Sequence, residues 1–299
     1  VNEEVPECVS SCGKRSQYLY TNHAFREKLE KPILKSKNPD AVSQLRRLVQ
    51  PFLLRRLKKD VLKELPPKEE YVRKISLSED EQKLYYACVQ AAVAGLGDGQ
   101  GKLQILAALT RLRQVCCDPG LCFENYGGPA SKLDACVELC EAMVENGHQI
   151  LLFSQFTSML DRLRARLDAL HISSFTLQGS TPREKRASMV KAFNAGEASI
   201  FLISLKAGGT GLNLTAADIV IHFDPWWNQA AQDQATDRAH RIGQQAHVQV
   251  YKLIAKDTIE ERILELQNRK LALLDTISGC EEAGILNMSS EELLSLLKS

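Results

Sequence analysis

The chain has 299 residues, of which 44% are hydrophobic and 25% are charged, and its formal net charge is +1. These values are typical of a globular protein with a sizeable core and about two domains, and the net charge by itself indicates no class of partner. No secretory signal is visible and no apolar run is long enough to cross a membrane, which argues against a membrane protein.

Nine cysteines are scattered along the chain without the spacing of a disulfide framework. Cys8 and Cys12 are separated by three residues, but no second ligand pair accompanies them, as a zinc finger would require. The sequence therefore predicts reduced, mostly buried thiols in an intracellular protein, and no metal site.

The first part of the chain is predicted to be mostly helical. Apolar residues at helical spacing run through residues 22–65, and the pattern stops at Pro66-Pro67. This segment carries a basic cluster, for which a solvated helix face and a phosphate-facing patch are both open interpretations. The cluster comprises Arg46, Arg47, Arg55, Arg56, Lys58, Lys59 and Lys63.

A strand is predicted at residues 70–77, where apolar and polar residues alternate. A capping box at 78–81 begins a helix that extends to Val93, and another helix is predicted at 103–117. The turn cluster at 125–129 is the predicted domain boundary.

From Ala130 onward the pattern alternates between helix and strand, which predicts an α/β fold with a parallel sheet and right-handed crossovers. The predicted strands are 149–154, 173–178, short runs at Ile200 and Ile219, and 247–253. Helices are predicted at 133–145, 156–170, 181–196, a polar segment that includes Gln234 and Arg241, 257–274, and from Ser289.

Polar or small residues follow the predicted strands at the edge where an open parallel sheet binds ligands. Hydroxyls, a lysine and the backbone amides of glycines suit contact with phosphates along a nucleic-acid backbone. The residues at any one strand end are typical of an ordinary turn. Such residues at three successive strand ends favour a shared track for a nucleic acid. The residues concerned are Ser154, Gln155, Gln178, Gly179, Ser180, Ser204 and Lys206.

The loop after the strand at Ile219 contains Asp224-Pro225-Trp226-Trp227. Two indoles at this position suit either core packing or a rigid loop that docks against a ligand or partner.

Gln234, Arg238 and Arg241 follow at i, i+4 and i+7, and so on one face of a predicted helix. Solvation of a surface helix is the common explanation for such a pair of arginines. Here the pair follows a glycine-rich loop and a paired-tryptophan loop, which favours function. Two guanidinium groups, without an acid spaced to neutralise both, indicate a polyanion such as a nucleotide phosphate.

Together these segments resemble the C-terminal motor lobe of the Swi/Snf-type ATPases, within the superfamily 2 helicases. ILLFSQF, LQGST, SLKAGGTGLNLTAAD, FDPWWN and DQATDRAHRIGQ occur in the family's order at 150–156, 177–181, 204–218, 223–228 and 233–244. FREKLEKPI at 25–33 resembles the end of the first lobe's helical protrusion, and FLLRRLKKDVLKELPPKEE at 52–70 resembles the segment that joins the lobes. Asn228-Gln229 departs from the usual Asn-Pro, from which we expect only a local difference in the turn.

The resemblance implies a RecA-like fold for the second part of the chain and an intact enzyme that translocates on double-stranded DNA using ATP. It implies that Arg238 and Arg241 are arginine fingers that reach the γ-phosphate held by the first lobe. Gln234 would lie on the same surface, and Gly209 and Gly211 near the nucleotide. Contact with a DNA strand is implied for Ser154, Gln155, Gly179, Ser180, Ser204, Lys206 and Trp226.

The motifs of the first half of such a motor are missing from the sequence. It contains no G-x-x-x-x-G-K-[ST] phosphate cradle and no D-E-x-H run. We therefore expect ATP and Mg²⁺ to be bound mainly by a first lobe outside this sequence, and the chain alone to be inactive as an ATPase. The alternative is a non-catalytic module that binds DNA or protein; DPWWN and RAHRIGQ argue against a generic RNA helicase lobe.

We accordingly divide the chain into four parts. Residues 1–78 are the tail of the first lobe, its helical protrusion and the connector, and 79–127 the protrusion of the second lobe. Residues 128–274 are the RecA-like lobe, and 275–299 a C-terminal helical extension. Expected partners are double-stranded DNA and the N-terminal motor lobe of the same protein, with no membrane. The expected location is the cytoplasm in a bacterium or the nucleus in a eukaryote.

Overall fold

The computed structural model describes residues 26–30, 32, 39–49, 66–95, 102–208, 212–241 and 243–277. The chain divides into two compact units, Val1–Val61 with Arg269–Glu281 and Leu62–Asn268 with Glu282–Ser299. In the first unit the described residues form a short π-helix, Arg26–Glu30, and helix α1, Pro39–Val49. Most of the basic cluster, Cys8, Cys12 and the helix predicted from Ser289 lie outside the described residues.

The second unit is built on one sheet of six strands. The strands are β1 Lys68–Ile75, β2 Ile150–Ser154, β3 Ser174–Leu177, β4 Ile200–Ser204, β5 Ile219–His222 and β6 Val248–Ala255. Their spatial order is β1-β6-β5-β2-β4-β3, and every neighbouring pair is parallel. The predicted parallel α/β architecture is therefore confirmed.

Helices connect the strands and flank the sheet. They are α2 Glu79–Gly95, α3 Lys102–Cys117, α4 Ser131–Glu145, α5 Thr157–Ala169, α6 Arg183–Asn194, the single turn α7 Leu205–Gly208, α8 Gln229–Thr236 and α9 Ile259–Ile277. In the part of the chain that the structure describes, none of the helices combines the length and apolar character needed to cross a bilayer.

The central strands β2, β4 and β5 are buried on both faces, as expected for near-continuous apolar runs in a parallel sheet. Because successive side chains point to opposite faces, each strand contributes to two separate cores. Ile150 and Leu152 pack with helices α4 and α5 on one face. Leu151 and Phe153 pack with α6 and residues 212–217 on the other. Packing on both faces fixes the positions of the strand ends and so of the loops that follow them.

Helices α2 and α3 build a third core with the end of β6 and the start of α9. Leu109 and Tyr85 pack there with Ile259 and Ile263. The hydroxyl oxygen of Tyr85 also accepts a hydrogen bond from the backbone N–H of Ile259 at 2.8 Å. The α2–α3 pair is thus anchored to the element that follows the last strand of the sheet.

The strand predicted at 70–77 lies at Lys68–Ile75 and forms the edge of the sheet beside β6, with Lys68 opposite Val248. It begins directly after Pro66-Pro67 and ends before the capping box, in which Ser78 N–H donates to Glu81 at 2.8 Å. The carboxylate of Glu81 also accepts from the N–H of Ser131, which joins α2 to α4. The four-part division of the chain stays a prediction; β1, placed in the connector, shares the sheet of residues 128–274.

Candidate nucleotide and nucleic-acid interface

The carboxyl ends of β2, β3, β4 and β5 lie at one edge of the sheet. Ser154 at the end of β2 is in register with Ser204 at the end of β4. Strand β3 ends beside β4 at Leu177, and β5 is the other neighbour of β2. The topology therefore brings the loops that carry most of the sequence-predicted residues to the edge where open parallel sheets bind ligands.

Asp224, two residues after β5, ties the loop after β5 to the loop after β2. Its side chain is fully buried, and Oδ1 accepts hydrogen bonds from the hydroxyl of Ser154 at 2.6 Å and from the N–H of Gln155 at 3.1 Å. Ser154 is likewise fully buried, whereas Gln155 is half-buried. The structure therefore places the hydroxyl of Ser154, predicted to contact DNA, in the interior, where it supports the loop.

The other carboxylate oxygen of Asp224 accepts from Arg113 of helix α3 at 3.0 Å. The same guanidinium donates to the carbonyl of Pro225 at 2.8 Å, and the side chain of Arg113 is only 1% exposed. Its central carbon lies 5.3, 5.5 and 5.7 Å from the ring centres of Phe156, Trp226 and Trp227. Arg113 was not predicted as a site residue, because its partners lie 111 and 112 positions away in sequence.

Trp226 is half-buried at the rim of this cluster. Its carbonyl accepts a hydrogen bond from Gln267 of helix α9, which also donates to Gln232 of α8 at 2.7 Å. The tryptophan loop therefore contacts α3 and α9 directly and is connected to α8 through Gln267. These attachments are typical of a rigid loop rather than a mobile one.

Ser204 ends β4, and its buried hydroxyl accepts from the N–H of Ala207 at 3.3 Å. This bond lies at the start of the single helical turn α7, which includes the backbone of Lys206. The side chain of Lys206, and Gly209 and Gly211, lie outside the described residues. Ser204 is thus placed to support the turn that presents the predicted lysine.

Gly179 and Ser180, after β3, are exposed. Arg186 of helix α6 holds their loop by donating to the carbonyls of Gly179 and Thr181, each at 2.8 Å. The helix predicted at 181–196 begins at Arg183, without a side-chain cap, and ends at Asn194. The hydroxyl of Thr181 accepts from the N–H of Gln178 at 3.1 Å and so closes the turn before the helix.

The predicted helix through Arg241 ends earlier than expected. Helix α8 ends at Thr236, and Arg238 N–H then bonds to the carbonyl of Ala235 at 3.1 Å, as in a tighter helical turn. The prediction that one α-helix presents Gln234, Arg238 and Arg241 is therefore wrong in its geometry. The turns instead carry the chain back toward the segment that precedes β5, where Leu214 N–H donates to the carbonyl of Arg238 at 3.1 Å.

The two arginines nevertheless lie close together. Gln234 and Arg241 are exposed, and Arg238 is 8% exposed. Burial lowers the pKa of Arg238, and the positive charge of Arg241 lowers it further, against the opposite effect of Asp237. The segment thus concentrates positive charge at a partly accessible surface.

Two side chains that were not predicted fix this segment. Gln244 donates to the carbonyls of Ala217 and Ala239 at 2.7 and 3.3 Å, which ties the loop to the start of β5. His222 of β5 shares a 2.9 Å hydrogen bond between Nε2 and the hydroxyl of Thr236, the last residue of α8. Gln244 lies within the RAHRIGQ motif, so the motif itself was a signal for its importance.

The chemistry of the exposed groups suits anions. Paired guanidinium groups bind phosphate oxygens, and exposed hydroxyls and glycine amides bind phosphodiesters. Among the residues with described side chains, no group of three His, Cys, Asp or Glu is placed to hold a metal ion. Neighbouring guanidinium groups such as those of Arg238 and Arg241 are of the type that binds polyphosphates.

Two family models match the chain in sequence. The SNF2-related domain matches residues 15–121, and the helicase conserved C-terminal domain matches residues 131–243. The putative ATP-dependent helicase/translocase YwqA of Bacillus subtilis is 38% identical over 287 residues, which cover 92% of this chain and 31% of that protein. Uncharacterized ATP-dependent helicases of Mycoplasma genitalium and Mycoplasma pneumoniae are 38% and 37% identical over 94% of this chain. The chain spans only 27% of the length of each of these two relatives.

Solved structures show the same similarity. The Sulfolobus solfataricus SWI2/SNF2 ATPase core in complex with dsDNA aligns with a TM-score of 0.63 and 30% identity, over 94% of this chain and 61% of that one. The C-terminal domain of the Sulfolobus ATPase aligns with a TM-score of 0.62 and 28% identity, over 77% of this chain and 98% of that one. The chain belongs to the Swi/Snf family of helicase-like ATPases, in which it corresponds to the RecA-like C-terminal motor lobe.

Proposed function

We propose that this chain is the second, C-terminal lobe of an ATP-dependent motor that translocates on double-stranded DNA, of the kind found in chromatin remodellers. It supplies two arginines to the phosphates of ATP and a set of strand-end loops to the DNA backbone. The observation that carries the proposal is the pair Arg238 and Arg241, held together at a partly accessible surface of the same lobe as those loops.

The role of the arginines follows from the charge of phosphoryl transfer. Negative charge spreads over the oxygens of the transferred group, and a guanidinium supplied from a second domain stabilises it. ATP and Mg²⁺ are bound mainly by the first lobe, the partner of this chain, because the sequence lacks the phosphate cradle. This chain alone should therefore not hydrolyse ATP.

The role of the loops follows from their position. Exposed Gly179 and Ser180, the turn with Lys206 and the rim at Trp226 surround one sheet edge, as a surface that follows a phosphodiester backbone requires. The alignment with a relative solved in complex with dsDNA supports duplex DNA as the ligand. Contacts with backbone phosphates are independent of sequence, which suits a translocating enzyme.

The test uses the intact protein, with both motor lobes. ATP turnover is measured without nucleic acid and with duplex DNA, single-stranded DNA or RNA at matched nucleotide concentration. We expect stimulation by the duplex, and displacement of a third strand from a triplex as the enzyme moves. A preference for RNA, or turnover that is indifferent to duplex DNA, would contradict the proposal.

A further inference from the structure

Arg113 and Asp224 form an ion pair that is almost completely removed from water. The side chains are 1% and 0% exposed, and the nitrogen and oxygen are 3.0 Å apart. Burying two charges costs several kcal/mol per ion unless the partners' remaining hydrogen-bonding groups are also satisfied. Asp224 meets that condition, because its second oxygen accepts from Ser154 and Gln155, whereas Nε of Arg113 is buried without a hydrogen-bond partner.

The contacts of Arg113 converge on one short segment. Its guanidinium binds the side chain of Asp224 and the carbonyl of Pro225, and it lies near the rings of Trp226 and Trp227. Four consecutive residues of the loop after β5 are therefore in contact with one side chain of helix α3. A planar fork of donors that also packs against aromatic rings is a property of arginine that lysine lacks.

Asp224 extends this connection to a second loop. Because Oδ2 binds Arg113 and Oδ1 binds the turn after β2, the carboxylate is shared between the α2–α3 pair and two strand ends. A carboxylate held from both sides cannot shift without breaking bonds on the other side. The two strand-end loops are thus joined to α3 as one unit.

We propose that Arg113 is a positioning residue for DNA binding: it fixes the loop 224–227 and, through Asp224, the turn at Ser154 and Gln155, in the arrangement that fits a phosphodiester backbone. This inference rests on the proposed function, since it assumes that these loops contact duplex DNA. Arg113 acts through the loops, because its own side chain is buried.

Three substitutions test this role of Arg113. Arg113→Met keeps an unbranched apolar stem against the aromatic rings but removes the charge and every donor. Asp224→Asn keeps an acceptor for Ser154 and Gln155 but removes the charge that Arg113 pairs with. Arg113→Lys keeps the positive charge but not the forked donors of the guanidinium, so it should retain DNA binding only in part.

Leu109→Ala is the matched control. Leu109 lies one turn before Arg113 on the same helix and is 1% exposed in the third core. Its truncation should lower the temperature of thermal unfolding, because it leaves a cavity in that core. It removes no hydrogen bond and no charge from the loop 224–227, although Trp227 packs against the same core, so it reports what loosening that core does by itself.

The experiment measures ATP turnover of the intact two-lobed protein against duplex DNA concentration, with thermal unfolding of each variant alongside. For Arg113→Met and Asp224→Asn we expect the half-saturating DNA concentration to rise about tenfold, which corresponds to about 1.4 kcal/mol. Turnover at saturating DNA and the KM for ATP should stay near wild type. The double variant should be no worse than either single one, and Leu109→Ala should leave DNA half-saturation unchanged.

The result that overturns the inference is an unchanged half-saturating DNA concentration in Asp224→Asn and Arg113→Lys, or a rise that Leu109→Ala reproduces at equal loss of stability. The two isosteric or charge-conserving variants decide the question if Arg113→Met does not fold. A wild-type protein whose turnover ignores duplex DNA refutes the proposed function and this inference with it, whereas normal stimulation with unaffected variants refutes this inference alone.

Discussion

Arg238 and Arg241 lie three residues apart at the end of the turns after α8, close enough that Arg241 adds to the effect of burial in lowering the pKa of Arg238. Like charges held together raise the free energy of the folded protein unless an anion joins them. The rigid attachments of this segment, through Leu214, Gln244 and Thr236, keep the pair in place. Two neighbouring guanidinium groups are suited to binding a polyphosphate, and clustered charges of this kind are typical of functional sites.

The arginine pair should be needed for chemistry and not for DNA binding. We expect Arg238→Ala and Arg241→Ala, each in the intact protein, to lower DNA-stimulated ATP turnover by about 10³-fold, as loss of an arginine finger does. The affinity for duplex DNA, measured by fluorescence anisotropy, should change little. Turnover close to wild type in both variants would rule out the finger assignment.

Lys206 should contribute one phosphate contact. In the intact protein, Lys206→Ala should weaken DNA binding and reduce the slope of log affinity against log salt by about 0.9. The charge-matched control is Lys83→Ala, on helix α2, whose side chain is 72% exposed. Equal affinities and slopes for wild type and Lys206→Ala would refute the contact.

Arg186 should act on DNA binding through the loop that it holds. Arg186→Ala removes the bonds to the carbonyls of Gly179 and Thr181, so exposed Ser180 loses its fixed position. We expect a several-fold weaker affinity for duplex DNA with turnover retained at saturation. Lys191→Ala, an exposed position in the last turn of the same helix, removes the same charge and should have a smaller effect. Equal losses in the two variants would reduce the role of Arg186 to its charge.

Much of the sheet could be predicted because local pattern and final burial agree. Strands β2 and β4 are runs of apolar residues bounded by polar ones, and both faces of each are buried. Strand β1 was also found from alternation, but its membership of the sheet depends on β6, about 180 residues later. The hydrophobic pattern predicts that a strand forms but not which strand pairs with it.

The parts of the site that the sequence did not predict depend on distant partners. In the sequence, Arg113 cannot be told from an ordinary residue of helix α3. Its role depends on contacts with the loop after β5, which is distant in sequence. The end of α8 at Thr236 was missed for a related reason. Periodicity continues through Arg241, but bonds from Leu214 and Gln244 draw the backbone out of the helix.

His222 should make the stability of this chain sensitive to acid. Burial, and then the charge of Lys252, lower its pKa to about 3, whereas an unfolded histidine titrates near 6.5. Between these values the unfolded state binds more protons than the folded state, so the free energy of unfolding falls as pH falls. We expect a contribution of up to about 1.4 kcal/mol per pH unit below pH 6.

Urea unfolding of this chain from pH 7 to pH 5 tests the effect. The variant His222→Gln should flatten the pH dependence of the free energy of unfolding, while its amide can still donate to Thr236. An unchanged slope between pH 6 and 5 in His222→Gln would show that another group titrates.

Glu70 contributes at lower pH. Burial opposes its ionisation, but hydrogen bonds from Lys252 and Lys68 lower its pKa to about 2. Its contribution to stability is therefore present above pH 4.3 and is lost as pH falls toward 2.

The most direct test of the central claim is ATP hydrolysis measured on this chain, on the separately produced upstream half of the protein, and on the two mixed, each with and without duplex DNA. The account predicts turnover only in the mixture, stimulated by DNA and lost when the mixture contains Arg241→Ala. A mixture that stays inactive although both halves fold and associate would contradict it. That result would favour a lobe that binds DNA or protein without taking part in catalysis.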